Sequence, residues 1–224
     1  MPHSVEEDYL AAIYNMQMEG EPAFGARLAA IFKVKAPTVT QTLHRLERQN
    51  LVVMDENKRL SLTQEGRAAA ESVLRRHRLI ERFLVDVMGM QWHEVHDEAE
   101  RLEHDISPTF EAKMLEQLDN PTTCPHGNPI PGLVEAPEFL RRQHARRLNT
   151  APPGQDYVVV TVSEVVEDEE ALIDLLHERG ITPGTTVCVL DRLPSGDLVV
   201  LANARRVVLE DGVAHMVWVR PAEL

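Results

Sequence analysis

The residue types that could do chemistry in this chain are concentrated in one acidic, histidine-rich stretch, residues 93–104. Successive residues of an α-helix are rotated by about 100°, so residues three and four positions apart are neighbours on one face. This spacing lets Glu100, Glu103 and His104 converge on one point, with His96 on the same side. Two carboxylates and an imidazole suit a divalent first-row metal. The stretch therefore predicts a metal site, although similar patterns also occur on solvated helix faces.

A second pair of metal-type residues lies on the preceding predicted helix. His77 and Glu81 are four residues apart and share one face of that helix. If the two helices pack antiparallel, this pair can meet His96 near the start of the second helix. The sequence thus predicts two separate sites, with Glu100, Glu103 and His104 one or two turns further along the metal helix. Cys124 and His126 could also bind a metal, but they lie in a proline-rich turn where we expect a structural role.

The motifs of enzymes are absent from the sequence. The run His93-Glu94-Val95-His96 is one residue short of the zinc-protease motif, and no Glu-x-x-His pair of the di-metal enzymes occurs. There is also no P-loop, no other glycine-rich phosphate loop and no Gly-x-Ser-x-Gly nucleophile motif. We therefore expect the protein not to be an enzyme.

The net charge of −13 argues against a polyanionic partner, but the distribution of charge reverses that conclusion. Residues 23–76 hold ten basic and five acidic side chains, whereas residues 81–138 hold three basic and thirteen acidic ones. This asymmetry indicates one segment that faces nucleic acid and another that faces cations. The sequence has no long apolar run, no signal-peptide pattern and only two cysteines. We therefore expect a cytoplasmic location, no membrane partner and no disulfide framework.

The periodicity of apolar residues predicts an α+β protein with three domains. Residues 1–64 follow the element order of a winged helix-turn-helix: three helices and then a β-hairpin. Residues 65–148 have a helical pattern, and their last helix is predicted over 138–148. Residues 149–155 are a linker by composition. Residues 156–224 hold several short strands and are expected to form a small barrel.

Three separated motifs add a resemblance to this reading of the residues. They are Ala36-Pro37-Thr38-Val39-Thr40-Gln41-Thr42, Arg76-His77-Arg78-Leu79-Ile80-Glu81-Arg82-Phe83-Leu84 and Pro125-His126-Gly127-Asn128-Pro129-Ile130-Pro131-Gly132. In this order they resemble the diphtheria-toxin-repressor family of metal-dependent transcriptional regulators, and the resemblance covers essentially the whole chain. It implies a winged helix-turn-helix, then an all-α metal-binding and dimerisation domain, then an SH3-like (FeoA-like) barrel.

Position by position, the resemblance implies two metal sites. The primary, activating site would comprise Asp8 on the first helix with Glu100, Glu103 and His104. The ancillary site would comprise His77, Glu81 and His96, completed by residues of the C-terminal domain, where Glu167 and Glu170 are the nearest matches.

The expected metal follows from two substitutions relative to the iron-type members of that family. Those members carry Met on the first helix and Cys on the metal helix, where this chain has Asp8 and Glu100. Because carboxylates are harder ligands than thiolate and thioether, we expect Mn(II), with Fe(II) as the second candidate. We expect Zn(II), Co(II) or Cd(II) to substitute in vitro. Ala11 stands where short manganese-type members have a further carboxylate, so their two-metal geometry is not expected here.

The resemblance also implies a homodimer that binds a pseudo-palindromic double-stranded DNA operator through its third helix, as a regulator and repressor of metal-homeostasis genes. Expected contacts to base edges are Lys35, Pro37, Thr38, Thr40 and Gln41. Expected contacts to phosphates are Arg27, Arg45, Arg48, Lys58 and Arg59.

Other functions remain open from the sequence. A winged-helix regulator that senses a small organic ligand would explain residues 1–76 but would leave the carboxylate–histidine stripe without a role. A metalloenzyme would use the stripe, yet it lacks a nucleophile. A barrel that binds peptides needs an exposed aromatic groove, whereas the C-terminal domain has only Tyr157 and Trp218 as aromatic residues.

Overall fold

The computed structural model describes residues 4–134 and 138–222, without the side chain of Ser4. The helices are α1 Ser4–Met18, α2 Gly25–Ile31, α3 Ala36–Arg48, α4 Gln64–Asp86, α5 His96–Leu102, α6 Pro108–Gln117, α7 Phe139–Arg142, α8 Glu169–Glu178 and α9 Asp211–His215. The strands are β1 Ala23–Phe24, β2 Val52–Met54, β3 Arg59–Leu62, β4 Arg146–Arg147, β5 Asp156–Val162, β6 Thr186–Arg192, β7 Leu198–Ala202, β8 Arg205–Leu209 and β9 Val217–Pro221. None of the helices in these ranges is both long and apolar enough to cross a membrane.

The N-terminal region is a winged helix-turn-helix, as the element order predicts. Helices α1–α3 are followed by the antiparallel hairpin β2–β3, and β1 adds to the hairpin to give the sheet order β1-β3-β2. The Asp55 carboxylate closes the hairpin turn by accepting from the amides of Asn57 and Arg59 at 2.8 and 2.9 Å. This turn is the wing, and it places basic side chains at its tip.

Helix α3 buries one stripe and exposes the opposite face. Val39, Leu43 and Leu46 are buried at helical spacing, which confirms the predicted core face. Pro37 lies in the first turn of the helix, where a missing amide N–H costs nothing. The free face of α3 is therefore available for contact with a partner.

The helical region follows the prediction at its start and departs from it at its end. The Thr63 hydroxyl caps α4 by accepting from the amide of Gly66 at 3.0 Å, as the sequence predicts. The predicted helix over 138–148 was wrong beyond Arg142. Residues 146–147 instead pair with β9, because a sheet partner satisfies their backbone better than a continued helix without a buried face.

The C-terminal region is a six-stranded antiparallel sheet with the order β4-β9-β5-β6-β7-β8, closed over its core by α8 and α9. It confirms the small SH3-like β-domain predicted from the short strands. The Arg147 guanidinium lies 4.1 Å from the ring centroid of Trp218, its cross-strand partner, and donates to Glu19, the residue after α1, at 2.6 Å. This arginine joins the sheet to the N-terminal region.

A short loop between β5 and α8 holds the three regions together. Val165 of this loop is 3% exposed and belongs to the hydrophobic cluster of the N-terminal region. The Glu164 carboxylate accepts from the buried Arg78 of α4 at 2.7 and 3.1 Å and from Asn15 of α1 at 2.7 Å. Since the loop leads directly into α8, its position determines where the first turn of that helix lies.

Candidate metal centre

Metal-type side chains meet in two places in the described residues. The first, the outer site, comprises Asp8, Glu103 and His104. Glu100 lines a cavity together with Asp8 and Glu103. The second, the inner site, comprises His77, Glu81, His96, Cys124 and His126. In each group of three that forms these sites, the nearest ligand-type atoms lie within 4.8 Å of one another.

The outer site joins α1 to the end of α5. The His104 Nε2 atom lies 3.3 Å from Asp8 Oδ1 and 3.2 Å from Glu103 Oε1. On the other side of the ring, Nδ1 donates to the Glu7 carboxylate at 2.8 Å. Glu7 is itself held by Arg76 at 3.2 Å. This arrangement fixes the imidazole with Nε2 directed at the two carboxylates, as a metal-ligating histidine requires.

The predicted fourth residue, Glu100, lies on the wall of a cavity of about 130 Å³ rather than in contact with His104. Asp8 and Glu103 line the same cavity. Burial, together with the charges of Glu103, Glu100 and Glu7, raises the pKa of Asp8 to about 6, although His104 acts in the opposite direction. The carboxylates thus repel one another, and a cation in the cavity would relieve that repulsion.

The inner site is buried and centred on one carboxylate oxygen. Glu81 Oε1 lies 3.1 Å from His77 Nε2, 3.6 Å from His96 Nδ1 and 3.0 Å from His126 Nδ1. Glu81 is 1% exposed. Cys124 is buried beside it, and burial together with Glu81 and Glu164 raises the pKa of the thiol well above its ordinary value. A carboxylate, imidazoles and a sulfur therefore surround one point.

The hydrogen bonds of the inner site leave ligand atoms without partners. Among the described residues, none donates to Glu81 Oε2 or hydrogen-bonds with Nδ1 of His96 or His126 in acceptable geometry. His126 uses its other nitrogen, Nε2, to donate to the backbone carbonyl of Trp92 at 2.9 Å. An unsatisfied buried polar atom costs about 1–3 kcal/mol, so such atoms converge only where something else satisfies them. The inner site fits a divalent cation on these grounds.

The electrostatics of the inner site agree with that fit. Burial opposes ionisation of Glu81, but His126 and His77 hold its pKa well below the ordinary value. Burial likewise opposes a charge on His96, but Glu169 and Glu81 raise its pKa to about 9. In the metal-free protein, protons on the imidazoles therefore balance the carboxylate charge. A metal ion must displace those protons in order to bind.

The C-terminal domain reaches the inner site through Glu169, in the first turn of α8. Glu169 Oε1 lies 3.6 Å from His96 Nδ1, and burial raises the pKa of this carboxyl to about 7. The residues predicted from the sequence, Glu167 and Glu170, are both exposed, and Glu170 lines a surface pocket with Asp174. The structure thus places Glu169, rather than Glu167 or Glu170, beside His96.

One carboxylate connects the two sites. Glu103 Oε1 faces His104 in the outer site, while its Oε2 accepts from His77 Nδ1 at 2.6 Å. His77 in turn directs Nε2 at Glu81 in the inner site. Because each ring nitrogen of His77 serves a different site, the orientation of one site is tied to that of the other.

Several of the residues predicted to contact DNA share one exposed surface. The side chains predicted to reach base edges, Lys35, Pro37, Thr38, Thr40 and Gln41, are all exposed on or just before the first turns of α3. Arg48 is exposed on the same helix, and Lys58 and Arg59 are exposed at the tip of the wing.

Two of the predicted phosphate contacts have acidic partners inside the protein. Arg45 forms an ion pair with the fully buried Glu6 of α1. Arg27 forms an ion pair with Glu21, which also contacts Arg147 of the C-terminal domain. Both arginines hold neighbouring elements together, a role that their position in the sequence does not reveal.

Sequence reasoning does not find Glu7 and Glu169, and it predicts only a structural role for Cys124 and His126. Glu7 and Glu169 have no distinctive spacing, since each stands in a run of acidic residues. Cys124 and His126 did carry a signal, a cysteine and a histidine two residues apart. We assigned that turn a structural role because nothing in the sequence places it beside Glu81.

Comparison with known proteins places this geometry among metal-dependent repressors. Three family models match: the N-terminal DNA binding domain of iron dependent repressors over residues 3–60, their metal binding and dimerisation domain over 63–132, and the FeoA domain over 146–221. The chain is 41% identical over 219 residues to the iron-dependent repressor IdeR of Mycobacterium tuberculosis (strain ATCC 25618 / H37Rv), with 95% of each chain covered. It is 34% identical over 222 residues to the diphtheria toxin repressor of Corynebacterium diphtheriae (strain ATCC 700971 / NCTC 13129 / Biotype gravis), with 94% of each covered.

Similar solved structures include proteins described as manganese-dependent. A manganese-dependent transcriptional repressor in complex with manganese matches with a TM-score of 0.81 and 30% identity, over 96% of this chain and 99% of that chain. The manganese regulator SloR matches with a TM-score of 0.80 and 28% identity, over 96% and 98%.

Proposed function

Since the chain belongs to the iron-dependent repressor (diphtheria-toxin-repressor) family of metal-dependent, DNA-binding transcriptional repressors, we propose that it represses metal-homeostasis genes in response to Mn(II), with Fe(II) as the second candidate. A metal, rather than a small organic ligand, is the effector of this family. The protein binds DNA and forms a homodimer as a member of it. We also propose that the protein has no catalytic activity. We propose a cytoplasmic location, because the DNA that it binds is found there.

The observation that carries the metal preference is the composition of the outer site. Asp8, Glu100 and Glu103 are hard oxygen ligands, His104 is a borderline one, and no sulfur faces them in the described residues. Such a set favours Mn(II) and Fe(II) over the softer metals. The inner site, with Cys124, is more tolerant, and Zn(II), Co(II) or Cd(II) could occupy it in vitro.

The proposed mechanism is an electrostatic closure between domains. Asp8 lies on α1 of the DNA-binding domain, whereas Glu103 and His104 lie at the end of α5 in the helical domain. Bound metal supplies the positive charge that lets these carboxylates stay ionised and close together. Holding α1 against α5 fixes the position of α3, which packs with α1 in one hydrophobic cluster. Metal and DNA then bind cooperatively, with a reciprocal coupling of about 1–3 kcal/mol.

The dimer determines the form of the operator. Two symmetric recognition helices would enter successive major grooves about 34–36 Å apart, or at a multiple of that spacing, on a pseudo-palindromic site. We assign the dimer contact to the face where Phe110 of α6 is 48% exposed and meets the Phe83 ring edge-on at 6.2 Å. Val87, one turn after Phe83, is 43% exposed as well, and several exposed apolar side chains on one face are typical of a surface that a partner covers.

The test measures DNA binding with and without metal. A duplex selected from a randomised pool in the presence of Mn(II) serves as the probe, titrated anaerobically with Mn(II), Fe(II), Zn(II) or Co(II), or with chelator. We expect Mn(II) and Fe(II) to increase affinity by about 5–150-fold, the range of the coupling above. The Asp8→Asn variant should lose this increase. The control Glu98→Gln, on α5 but paired with Arg101 in solvent, should keep it. Equal affinity of the wild-type protein in Mn(II) and in chelator would overturn the proposal.

A further inference from the structure

Trp92 contacts the inner site with its backbone, while its side chain is held by the C-terminal domain. Its carbonyl oxygen accepts from His126 Nε2 at 2.9 Å. Its indole N–H donates to Nδ1 of His177 on α8 at 2.9 Å, and its ring packs on the hydrophobic core of the C-terminal domain. We propose that Trp92 is a positioning residue that couples docking of the C-terminal domain to the geometry of His126.

The bond to the carbonyl decides how His126 meets a metal. Because Nε2 is occupied as a donor, only Nδ1 is left to face Glu81. A histidine ligand commonly donates its second nitrogen to a backbone carbonyl, and this contact fixes the orientation of the ring. His126 is 1% exposed, so its ring depends on protein atoms for its orientation. The position of the Trp92 carbonyl therefore sets the direction of the His126 ligand atom.

The segment that carries this carbonyl has few hydrogen bonds of its own. Trp92 lies between α4 and α5, in a turn closed by a backbone bond from the amide of Glu94 to the carbonyl of Gln91 at 3.0 Å and by a longer one from the amide of Gln91 to the Glu94 carboxylate at 3.4 Å. Because Trp92 itself is in neither a helix nor a strand, the position of the segment depends on its side chains. The imidazole of His93 adds to the anchor by stacking on His177 with centroids 3.7 Å apart. The anchor of the carbonyl is thus in another domain.

This coupling differs from the role of Glu169, which could touch the metal itself. Trp92 acts on the site through His126 alone, and does so before any metal is present. The inference rests on the proposed function, because it assumes that His126 is a ligand. Its geometric part concerns the metal-free protein and is tested separately.

The experiment compares the full-length variants Trp92→Ala, Trp92→Phe and His177→Leu with Trp218→Phe as the matched control. Trp218 is the only other tryptophan; it stacks on Arg147, and its indole N–H makes no hydrogen bond within the described residues. His177 is exposed, so its substitution should leave the fold intact even if Trp92→Ala does not fold. The first readout is hydrogen exchange of the His126 Nε2 proton by NMR in metal-free protein. The second is calorimetric titration with Mn(II) and Co(II).

We expect slow exchange of the Nε2 proton in the wild type and in Trp218→Phe, and exchange at least tenfold faster in Trp92→Ala and His177→Leu. Affinity of the inner site should fall by about 10–100-fold in Trp92→Ala, the usual effect of losing an outer partner of a ligand. Trp92→Phe keeps a ring in the core but loses the bond to His177, so its inner-site affinity should lie between those of the wild type and Trp92→Ala. Outer-site affinity should stay within twofold throughout.

The two readouts separate the possible failures. Unchanged exchange and unchanged inner-site affinity in both Trp92→Ala and His177→Leu would overturn the positioning role. Faster exchange in these variants, but no metal uptake at the inner site of the wild type, would support the positioning role and refute His126 as a ligand. An equal loss of affinity at both sites would also count against the proposal, because it would indicate a general structural effect.

Discussion

Glu103 provides the sharpest test of the centre because its two oxygens serve different sites. Oε1 lies 3.2 Å from His104 of the outer site, and Oε2 accepts from His77 of the inner site at 2.6 Å. The variant Glu103→Gln keeps the shape of the side chain but has one acceptor oxygen and no charge. It therefore keeps an acceptor for His77 only if the outer site receives the uncharged amide nitrogen, and it removes a hard ligand from the outer site.

The expected magnitude follows from mass action. A site filled at 100 times its Kd stabilises the folded protein by about 2.7 kcal/mol. For a chain of this size, 1 kcal/mol corresponds to roughly 2–4 °C in Tm. If Glu103→Gln loses the outer site alone, the increase in Tm on adding Mn(II) should be smaller than that of the wild type by about 5–11 °C. Because His77 also loses its charged acceptor, the inner site should weaken as well.

The assay is thermal unfolding followed by circular dichroism, with and without Mn(II), in parallel with calorimetric titration. Glu98→Gln is the matched control, since it makes the same chemical change on α5 at a residue that pairs with Arg101 in solvent. Unfolding of several domains need not be two-state, so the comparison uses the Mn(II)-dependent difference within each variant. If Glu103→Gln shows the same Mn(II)-dependent increase in Tm as the control, Glu103 does not connect the sites.

Four further predictions address the thiol, the pH dependence, the DNA surface and the dimer. Co(II) in the wild-type protein should give a thiolate-to-metal charge-transfer band that Cys124→Ala lacks; an unchanged band would exclude sulfur at the inner site. Since the pKa of Asp8 is raised to about 6, its carboxyl is protonated below that pH and must lose its proton to bind metal. Calorimetry should show outer-site affinity falling by about tenfold per pH unit below 6 and level above 7; a flat profile across pH 6 would contradict this. Gln41→Ala should cost about 1–3 kcal/mol at one base position, whereas Lys58→Ala should weaken all duplexes alike and lower the salt slope by about 1, as titrations at several salt concentrations can check. Phe110→Glu should shift sedimentation towards the monomer and weaken operator binding, and an unchanged dimer would place the interface elsewhere.

The outer site was largely predictable because local geometry creates it. The spacing of Glu100, Glu103 and His104 depends on helical periodicity near the end of α5, which any reading of the sequence can apply. The stripe of Val39, Leu43 and Leu46 on α3 was predictable for the same reason. Asp8 required the resemblance to the family, since no local pattern connects the first helix to the metal helix.

The inner site was only half predictable because its members come from four separate segments. His77 and Glu81 share a helical face, but Cys124 and His126 reach Glu81 only through the path of an irregular loop. Likewise Glu169, rather than its neighbours Glu167 and Glu170, faces His96 because the docked loop before α8 sets the rotation of that helix. An acidic run in the sequence does not distinguish one member from the next.

By itself, the sequence determined most of what depends on neighbours along the chain: the long helices and their buried faces, the hairpin of the wing, the stripe of metal-type residues and the basic character of the N-terminal region. Only the tertiary structure decided which carboxylates and imidazoles lie close enough to share a cation, that Glu103 contacts both groups, and that Arg45 and Arg27 bind acidic residues of the protein. The physical reason is that ligand and ion-pair contacts act over about 3–4 Å between segments far apart in sequence. The packing that brings such segments together is a property of the whole fold, and no local sequence pattern predicts it.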